Sequence, residues 1–466
     1  MTSSPTILDL EGPIHFIGIG GAGMYALAEL LLRQGRQLTG CDSKESDATR
    51  RLRELGGDIR IGHDPSHVKG VAGVVTTAAV PPDHSEIRAA RDAGIPVWKR
   101  AEALGQVVNR GTVVAIAGTH GKTSTTALTV HLLAEAGLDP TGLVGGSVPD
   151  WGGNLYLGGD LYAVEADEYD RSFLTLEPDV AVVTNLEADH LDIYGDLAGV
   201  RDAFAQFLAQ LREGGRGIVC ADDPGAARLL TRLPGTGYSY GLSAGSQLRA
   251  VEVRPRPGGG PAFRIMEDGR DQGEAHLPLP GRHNLLNALA AAAVARTLGA
   301  SWEAVRKGWA SFPGVARRFQ SLGDVAGVAL VDDYAHHPTE IAATLGALRD
   351  AYPGRRLVAV FQPHLYSRTR DFALEFGQAL ASADRVWVTD VFPAREEPIP
   401  GVDGGVVARA VKRQGGRVNE HPALEGLAAT LAGEVEPGDV VVTLGAGSIE
   451  RIGPELRALL EGGPRG

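Results

Sequence analysis

The chain has 466 residues, 43% hydrophobic and 22% charged, with 45 basic against 57 acidic side chains and a formal net charge of −12. That length exceeds one ordinary hydrophobic core and predicts two or three domains of roughly 150 residues each. The composition excludes wholesale disorder and a membrane-embedded chain, and the acidic balance excludes broad binding to nucleic acid or anionic lipid, so any phosphate binding must be local.

From end to end, short apolar runs alternate with amphipathic stretches, the pattern of parallel sheets flanked by helices, and the expected fold class is α/β. The first segment, MTSSPTILDLEGP, has no basic stretch followed by an apolar one, and nowhere do about 18 apolar residues run together, so a cytoplasmic chain without membrane insertion is expected. Strand-like runs fall at 14–17, 71–76, 112–117, 161–165, 180–184, 217–220, 328–332, 357–361, 385–389 and 440–444. A fresh strand after 107–111 and a Pro313-Gly314 break predict three domains, 1–108, 109–312 and 313–466. The glycine- and proline-rich stretch 254–261 reads as a loop inside the second. Cys41 and Cys220 stand far apart, with no Cys or His at metal-ligand spacing, so two ordinary thiols are expected rather than a disulfide or a zinc site. Nothing in the pattern speaks to oligomeric state.

Three motifs carry chemistry. The first, His15-Phe16-Ile17-Gly18-Ile19-Gly20-Gly21-Ala22-Gly23-Met24, is a strand running through G-x-G-x-x-G into an Ala/Leu-rich helix. Such glycines let backbone approach a pyrophosphate at a helix N-terminus, and Asp42, ending the next strand, is placed for a ribose hydroxyl. NAD, another diphosphate nucleotide and a purely structural turn all fit this motif alone. The second is Gly118-Thr119-His120-Gly121-Lys122-Thr123-Ser124, again between strand and helix. Its amides would cradle phosphates, Lys122 would neutralise β- and γ-oxygens, and Thr123 would ligate Mg²⁺. Only two residues separate the glycines, a shorter form than the general phosphate loop, but one of the chain's few lysines falls at the decisive position. The third is acidic: Glu165-Ala166-Asp167-Glu168-Tyr169-Asp170, then Asn185-Leu186-Glu187-Ala188-Asp189-His190-Leu191-Asp192. Hard Mg²⁺ takes oxygen ligands shared with phosphates, which makes Glu165 a partner for Thr123 and His190 a group for a second ion or for positioning substrate.

These motifs, with Gly281-Arg282-His283-Asn284-Leu285-Leu286-Asn287, Asp332-Asp333-Tyr334-Ala335-His336-His337-Pro338-Thr339 and Phe361-Gln362-Pro363-His364 followed by Ser367-Arg368-Thr369-Arg370, resemble the Mur ligases of peptidoglycan synthesis. The resemblance spans essentially the whole chain in order. It implies a Rossmann-like UDP-sugar domain, a central P-loop ATPase-type α/β domain, and a Rossmann-like C-terminal domain that closes over both and helps hold an amino acid. It further implies an ATP- and Mg²⁺-dependent ligase, and within the family Phe361-Gln362-Pro363-His364 with Ser367-Arg368-Thr369-Arg370 and the opening GIGGAGM together point to joining L-alanine to the lactyl carboxylate of UDP-N-acetylmuramate.

Carried over by position, Gly18, Gly20, Gly21, Gly23 and Met24 lie at the diphosphate with Asp42 nearby. Gly118 to Ser124 hold ATP phosphates, and Thr123, Glu165 and His190 form the metal site. Asn284 and Asn287 lie at the adenine, Asp333 at the ATP ribose, Arg318 (or its neighbour Arg317) at the γ-phosphate, and His336, His364 and Arg368 near the reacting ends. His283 adjoins the adenine asparagines. Lys122 is expected in an exposed loop, so that its removal spares the fold. Two departures stand out. Related ligases use a carbamylated lysine for a second metal, but no lysine occurs between Lys122 and Lys307. Tyr169 stands where the motif expects serine, which keeps alive the recycling ligase that attaches a whole tripeptide to the same nucleotide sugar. An NAD-dependent oxidoreductase, supported by the first motif alone, leaves the other motifs unexplained.

Overall fold

The computed structural model describes residues 6–189, 191–257, 259–394 and 396–462. Its first sheet is all parallel, in the order β3-β2-β1-β4-β5, from β1 (Ile14–Ile17), β2 (Leu38–Asp42), β3 (Asp58–Ile61), β4 (Gly73–Thr76) and β5 (Val97–Lys99). Order reverses between β1 and β4, so the glycine loop after β1 emerges at a switch point, where open α/β sheets bind ligands.

The second sheet has ten strands: β6 (Thr112–Ala117), β7 (Pro140–Val148), β8 (Gly153–Tyr156), β9 (Leu161–Glu165), β10 (Val180–Val183), β11 (Arg216–Cys220), β12 (Gly237–Gly241), β13 (Leu248–Arg256), β14 (Gly259–Glu267) and β15 (Arg270–His276). Their order is β15-β14-β13-β12-β11-β10-β6-β9-β7-β8. Strand β6 lies between β9 and β10, with Ile116 opposite Glu165 and Ala117 opposite Val183. The third sheet runs β16-β17-β21-β18-β19-β20, from β16 (Gln320–Val325), β17 (Val328–Asp333), β18 (Arg356–Phe361), β19 (Arg385–Val388), β20 (Val418–Glu420) and β21 (Asp439–Leu444). It is parallel except for the β16–β17 pair, and Asp333, Leu444 and Phe361 end in register.

By contact density the chain forms two compact units, one of Met1–Val251, Ile265–Gly273 and Leu286–Phe312, the other of Glu252–Arg264, Glu274–Leu285 and Pro313–Gly466. The expected loop at 254–261 is instead the end of β13 and the start of β14, two strand ends meeting at a turn. Glycine and proline there mark a hairpin, not an irregular connection. Among the described residues no helix is long and apolar enough to cross a membrane.

Within the first unit one core joins the first two sheets. Asn154 donates to Ala22 O at 2.6 Å, and Thr175 Oγ1 to Ala101 O at 2.9 Å. Near the acidic motif, Phe173 stacks flat on Phe207 with centroids 5.1 Å apart and meets Phe204 edge-on at 5.2 Å. Its N–H also donates to Asp167 O at 2.9 Å, so the ring anchors the acidic turn. Truncating a buried aromatic ring costs about 3–5 kcal/mol. Phe173→Ala is therefore expected to lower the unfolding free energy of the first unit by that order, measured by chemical denaturation, with Phe173→Leu losing less.

Candidate active site

The loop after β6 is shaped by two glycines. Gly118 has φ +142°, and a side chain there would collide with the Thr184 hydroxyl; Gly121, at φ +82°, faces Asn287 Oδ1, which an added Cβ would meet at 2.6 Å. Both positions demand glycine sterically. The loop is latched to the segment after β10. Asn185 Oδ1 accepts from His120 N at 2.8 Å, Asn185 O from Thr119 N at 3.1 Å, and Thr184 Oγ1 donates to His120 O at 2.8 Å. Thr119 Oγ1 accepts from Glu187 N at 2.9 Å, and the His120 imidazole lies 3.4 Å from the Glu187 carboxylate. Gly121 then caps the helix Lys122–Glu135, whose N-terminal amides and dipole favour an anion.

Lys122 does not lie in an exposed loop as expected. It is the first residue of that helix, and its ammonium donates to both oxygens of buried Glu168 at 2.9 and 2.8 Å, to Gly118 O at 2.7 Å and to Thr119 O at 3.3 Å. Burial pushes the ammonium towards neutrality, but the carboxylates of Glu168, Asp167 and Glu165 outweigh it and hold the Lys122 pKa above its ordinary value. Glu168 is itself held by Tyr194, whose hydroxyl donates to its backbone carbonyl. Glu165 ends β9 beside the loop and accepts from Gly145 N. Thr123 is buried at the second helical position, and its hydroxyl and the Glu165 carboxylate carry oxygens of the hard kind that Mg²⁺ takes as ligands. His190 lies outside the described residues.

At the other glycine loop, Gly18 and Ile19 donate to Cys41 O at 2.9 and 3.0 Å, and Gly20 N to the Asp42 carboxylate at 2.9 Å. Gly21 precedes the helix Ala22–Arg33, and Arg100 packs over Gly23. Asp42 thus braces the loop. Met24 is a core side chain, which leaves only its backbone at the loop surface.

In the second unit, Asp333 is buried, its oxygens accepting from Phe319 N and Ala335 N at 2.8 Å each. Burial pushes its carboxyl up to about 6 against the pull of Arg318. Both guanidinium groups lie over the Tyr334 ring, at 5.0 and 4.9 Å, but Arg317 is also committed to Asp332 at 3.1 Å, Gly445 O at 2.5 Å and Glu450 at 2.8 Å, whereas Arg318 has Glu340 at 3.9 Å. Of the two arginines, Arg318 is the less engaged by hydrogen bonds and ion pairs. His336 and His364 come together after β17 and β18, with ring centroids 5.7 Å apart, and Arg368 reaches His364 at 3.5 Å. Asn284 donates to Pro280 O at 2.8 Å.

Glu168 and Asn185 were legible as motif members and Thr184 as a strand end, but not as the groups that hold the loop, since that role depends on register between strands. A second omission concerns Cys41. It is no isolated thiol: the fold gathers His15, Cys41, His67 and Glu86, with ligand atoms all within 4.8 Å of one another. No short spacing reveals this cluster, because each member comes from a different element.

Removing one partner of a buried ion pair costs about 3–5 kcal/mol. Lys122→Ala is therefore expected to destabilise the first unit by that order, and Lys122→Ala/Glu168→Ala to recover part of the loss, read from a double-mutant unfolding cycle. Burial also pushes His283 and His336 down to about 4 from an ordinary 6.5. Unfolded imidazoles protonate first, so these two residues make the second unit lose stability as pH falls from about 6.5 to 4. Asp333, raised, has the opposite sign and offsets part of that loss below about pH 6. Nitrogen-15 NMR should show both imidazoles neutral down to about pH 4; midpoints near 6.5 would overturn this.

Three family models match the chain: the Mur ligase family catalytic domain over residues 13–112, the Mur ligase middle domain over 116–295, and the Mur ligase glutamate ligase domain over 317–447. The chain is 45% identical over 456 residues to a UDP-N-acetylmuramate--L-alanine ligase of Acidothermus cellulolyticus, covering 97% of this chain and 95% of the relative. Among solved structures it is similar to the UDP-N-acetylmuramate-alanine ligase MurC of Thermotoga maritima, with TM-score 0.84, 28% identity, and coverage of 97% of this chain and 100% of that one. A murein peptide ligase from Psychrobacter arcticus matches at TM-score 0.68 and 25% identity, over 97% and 99% of the two chains. With models matching in order along most of its length and a relative this similar over nearly all of it, the chain belongs to the Mur ligase family.

Proposed function

We propose that this chain is the ATP-dependent ligase that joins L-alanine to the lactyl carboxylate of UDP-N-acetylmuramate in peptidoglycan precursor synthesis. The observation that carries the reading is the 45% identity, over nearly the full length of both chains, to a ligase of that name. The three domains are assigned as 1–108 for the UDP-sugar, 109–312 for ATP and 313–466 for the amino acid, in keeping with the three family-model matches. Both cysteines are free thiols, as suits the cytoplasm, where we place the enzyme.

A carboxylate is a poor electrophile, and phosphorylation by ATP makes it an acyl phosphate that an amine can attack. Lys122 stands at the phosphate loop with its ammonium charged. In this reading it passes from Glu168 to the oxygens of the transferred phosphoryl group, where positioning and electrostatics supply most of the catalysis. Glu168 then serves as the resting partner that keeps the ammonium aimed. Thr123 and Glu165, with His190 assigned to the same site, would hold Mg²⁺, which would neutralise charge on phosphate oxygens when bound. The chain closes the carbamyl-lysine route by having no lysine from 123 to 306.

The glycine loop Gly18–Gly21 with Gly23 and Asp42 is assigned to the UDP-sugar diphosphate, and Gly118–Ser124, Asn284, Asn287, Arg318 and Asp333 to ATP. His336, His364 and Arg368 are assigned to the reacting ends. The Tyr334 carbonyl can only accept, so at 3.0 Å it places the proton of His336 on Nδ1 and leaves Nε2 with its lone pair. Burial keeps that imidazole neutral near pH 7, able to take the proton that the alanine amine must lose.

The test is phosphate release from Mg·ATP and UDP-N-acetylmuramate with L-alanine, an L-Ala-containing tripeptide, or no acceptor. Release that needs both the sugar and free L-alanine is expected. Release supported only by the tripeptide would favour the recycling activity, for which Tyr169 is the ground; the murein peptide ligase match, at TM-score 0.68 against 0.84, supports it less.

A further inference from the structure

Three of the chain's 13 histidines, His15, His63 and His67, surround one carboxylate, Glu86, beneath the first sheet, and a fourth, His84, accepts from the Glu86 backbone N–H. Glu86 is wholly buried, and among the described residues its ion-pair partners are histidines, with no Lys or Arg. A buried carboxylate without a matching positive charge is costly. The groups that face it are metal-ligand types from three other elements, His15 from β1, Cys41 from β2 and His67 from the short helix Pro65–Val68, while Glu86 itself lies on the helix Ser85–Asp92.

We propose that His15, Cys41, His67 and Glu86 form a structural zinc site in the N-terminal sheet domain. Tetrahedral zinc with bonds of about 2.0–2.3 Å separates its ligand atoms by roughly 3.3–3.8 Å. Here Cys41 Sγ lies 3.6 Å from His15 Nε2 and 3.0 Å from Glu86 Oε2, and those two atoms are 3.5 Å apart. His67 Nδ1 lies 2.9 Å from the other Glu86 oxygen. Small adjustments of side chains already converging admit the ion. Thr39 Oγ1, 2.8 Å from His15 Nδ1, can accept its proton and so turn the Nε2 lone pair inward, the outer support that metal-bound histidines normally have.

The charges also balance. Cys41 binds as thiolate, its proton passing to solvent, and with the Glu86 carboxylate it supplies two negative charges against the two positive charges of zinc. A neutral centre then replaces a carboxylate with no full countercharge. The ion would stiffen the glycine loop, because the backbone carbonyl of Cys41 accepts from both Gly18 N and Ile19 N. This inference stands apart from the ligase reading and is tested without an activity assay.

The experiment uses full-length protein from which any histidine tag has been removed, incubated with zinc, desalted and analysed by mass spectrometry for metal, together with a cobalt-substituted sample examined by absorption spectroscopy. About one zinc ion per chain is expected, with a cobalt–thiolate charge-transfer band that survives Cys220→Ser and disappears in Cys41→Ser. If Cys41→Ser does not fold, survival of the band in Cys220→Ser assigns it to Cys41, since the chain has two cysteines. Zinc well below one per chain, a cobalt spectrum without thiolate character, or a band that persists in folded Cys41→Ser would each overturn the proposal and leave the cluster as a hydrogen-bonded network.

Discussion

One ammonium group organises the central domain. Lys122 neutralises a carboxylate that would otherwise be buried alone, and its remaining hydrogens go to carbonyls of the loop that precedes it. The pair therefore ties three chain segments to one point: the loop after β6, the acidic turn after β9 and, through Tyr194, the helix that follows β10. An ordinary surface lysine would be free to wander. This one is held in a single orientation by two loop carbonyls and by a carboxylate whose oxygens a phosphate could replace, so the folded protein already bears the entropy of fixing it.

The architecture was largely readable from the sequence because the strands that matter most are buried on both faces. Runs such as 112–117 and 161–165 coincide with β6 and β9, whose apolar character shows at a glance. Strands with another rationale escaped. β3, the sequence Asp58-Ile-Arg-Ile61, is an edge strand with three exposed positions and no apolar run to betray it. The proline and glycine near 257 suggested an irregular loop where a hairpin turns. Composition records which residues avoid water, not which of two extended segments pair.

The same division holds at the candidate site. Lys122, Thr123 and Glu165 were legible because phosphate chemistry demands those residue types next to glycine at a strand end. That Lys122 is buried against Glu168, and that Asp42 braces Gly20 while Met24 fills the core, depends on packing directions that no local pattern encodes. The gathering of His15, Cys41, His67 and Glu86 is the extreme case, since its members lie up to 71 positions apart and meet only through parallel register and a helix laid across the sheet. The choice between Arg317 and Arg318 likewise turned on which guanidinium the fold had already engaged.

The ten-stranded sheet has one further consequence, at its outer margin. Strand β15 ends the sheet and presents Arg270, Asp271 and Glu274 as exposed residues, with Gly273 at φ +93° interrupting its regular extension. A bare sheet margin is a template on which another chain's extended segment can grow, and charge together with a local kink is how natural sheets discourage such growth. The strand added at this margin therefore ends the sheet on a charged, kinked edge that disfavours such growth there.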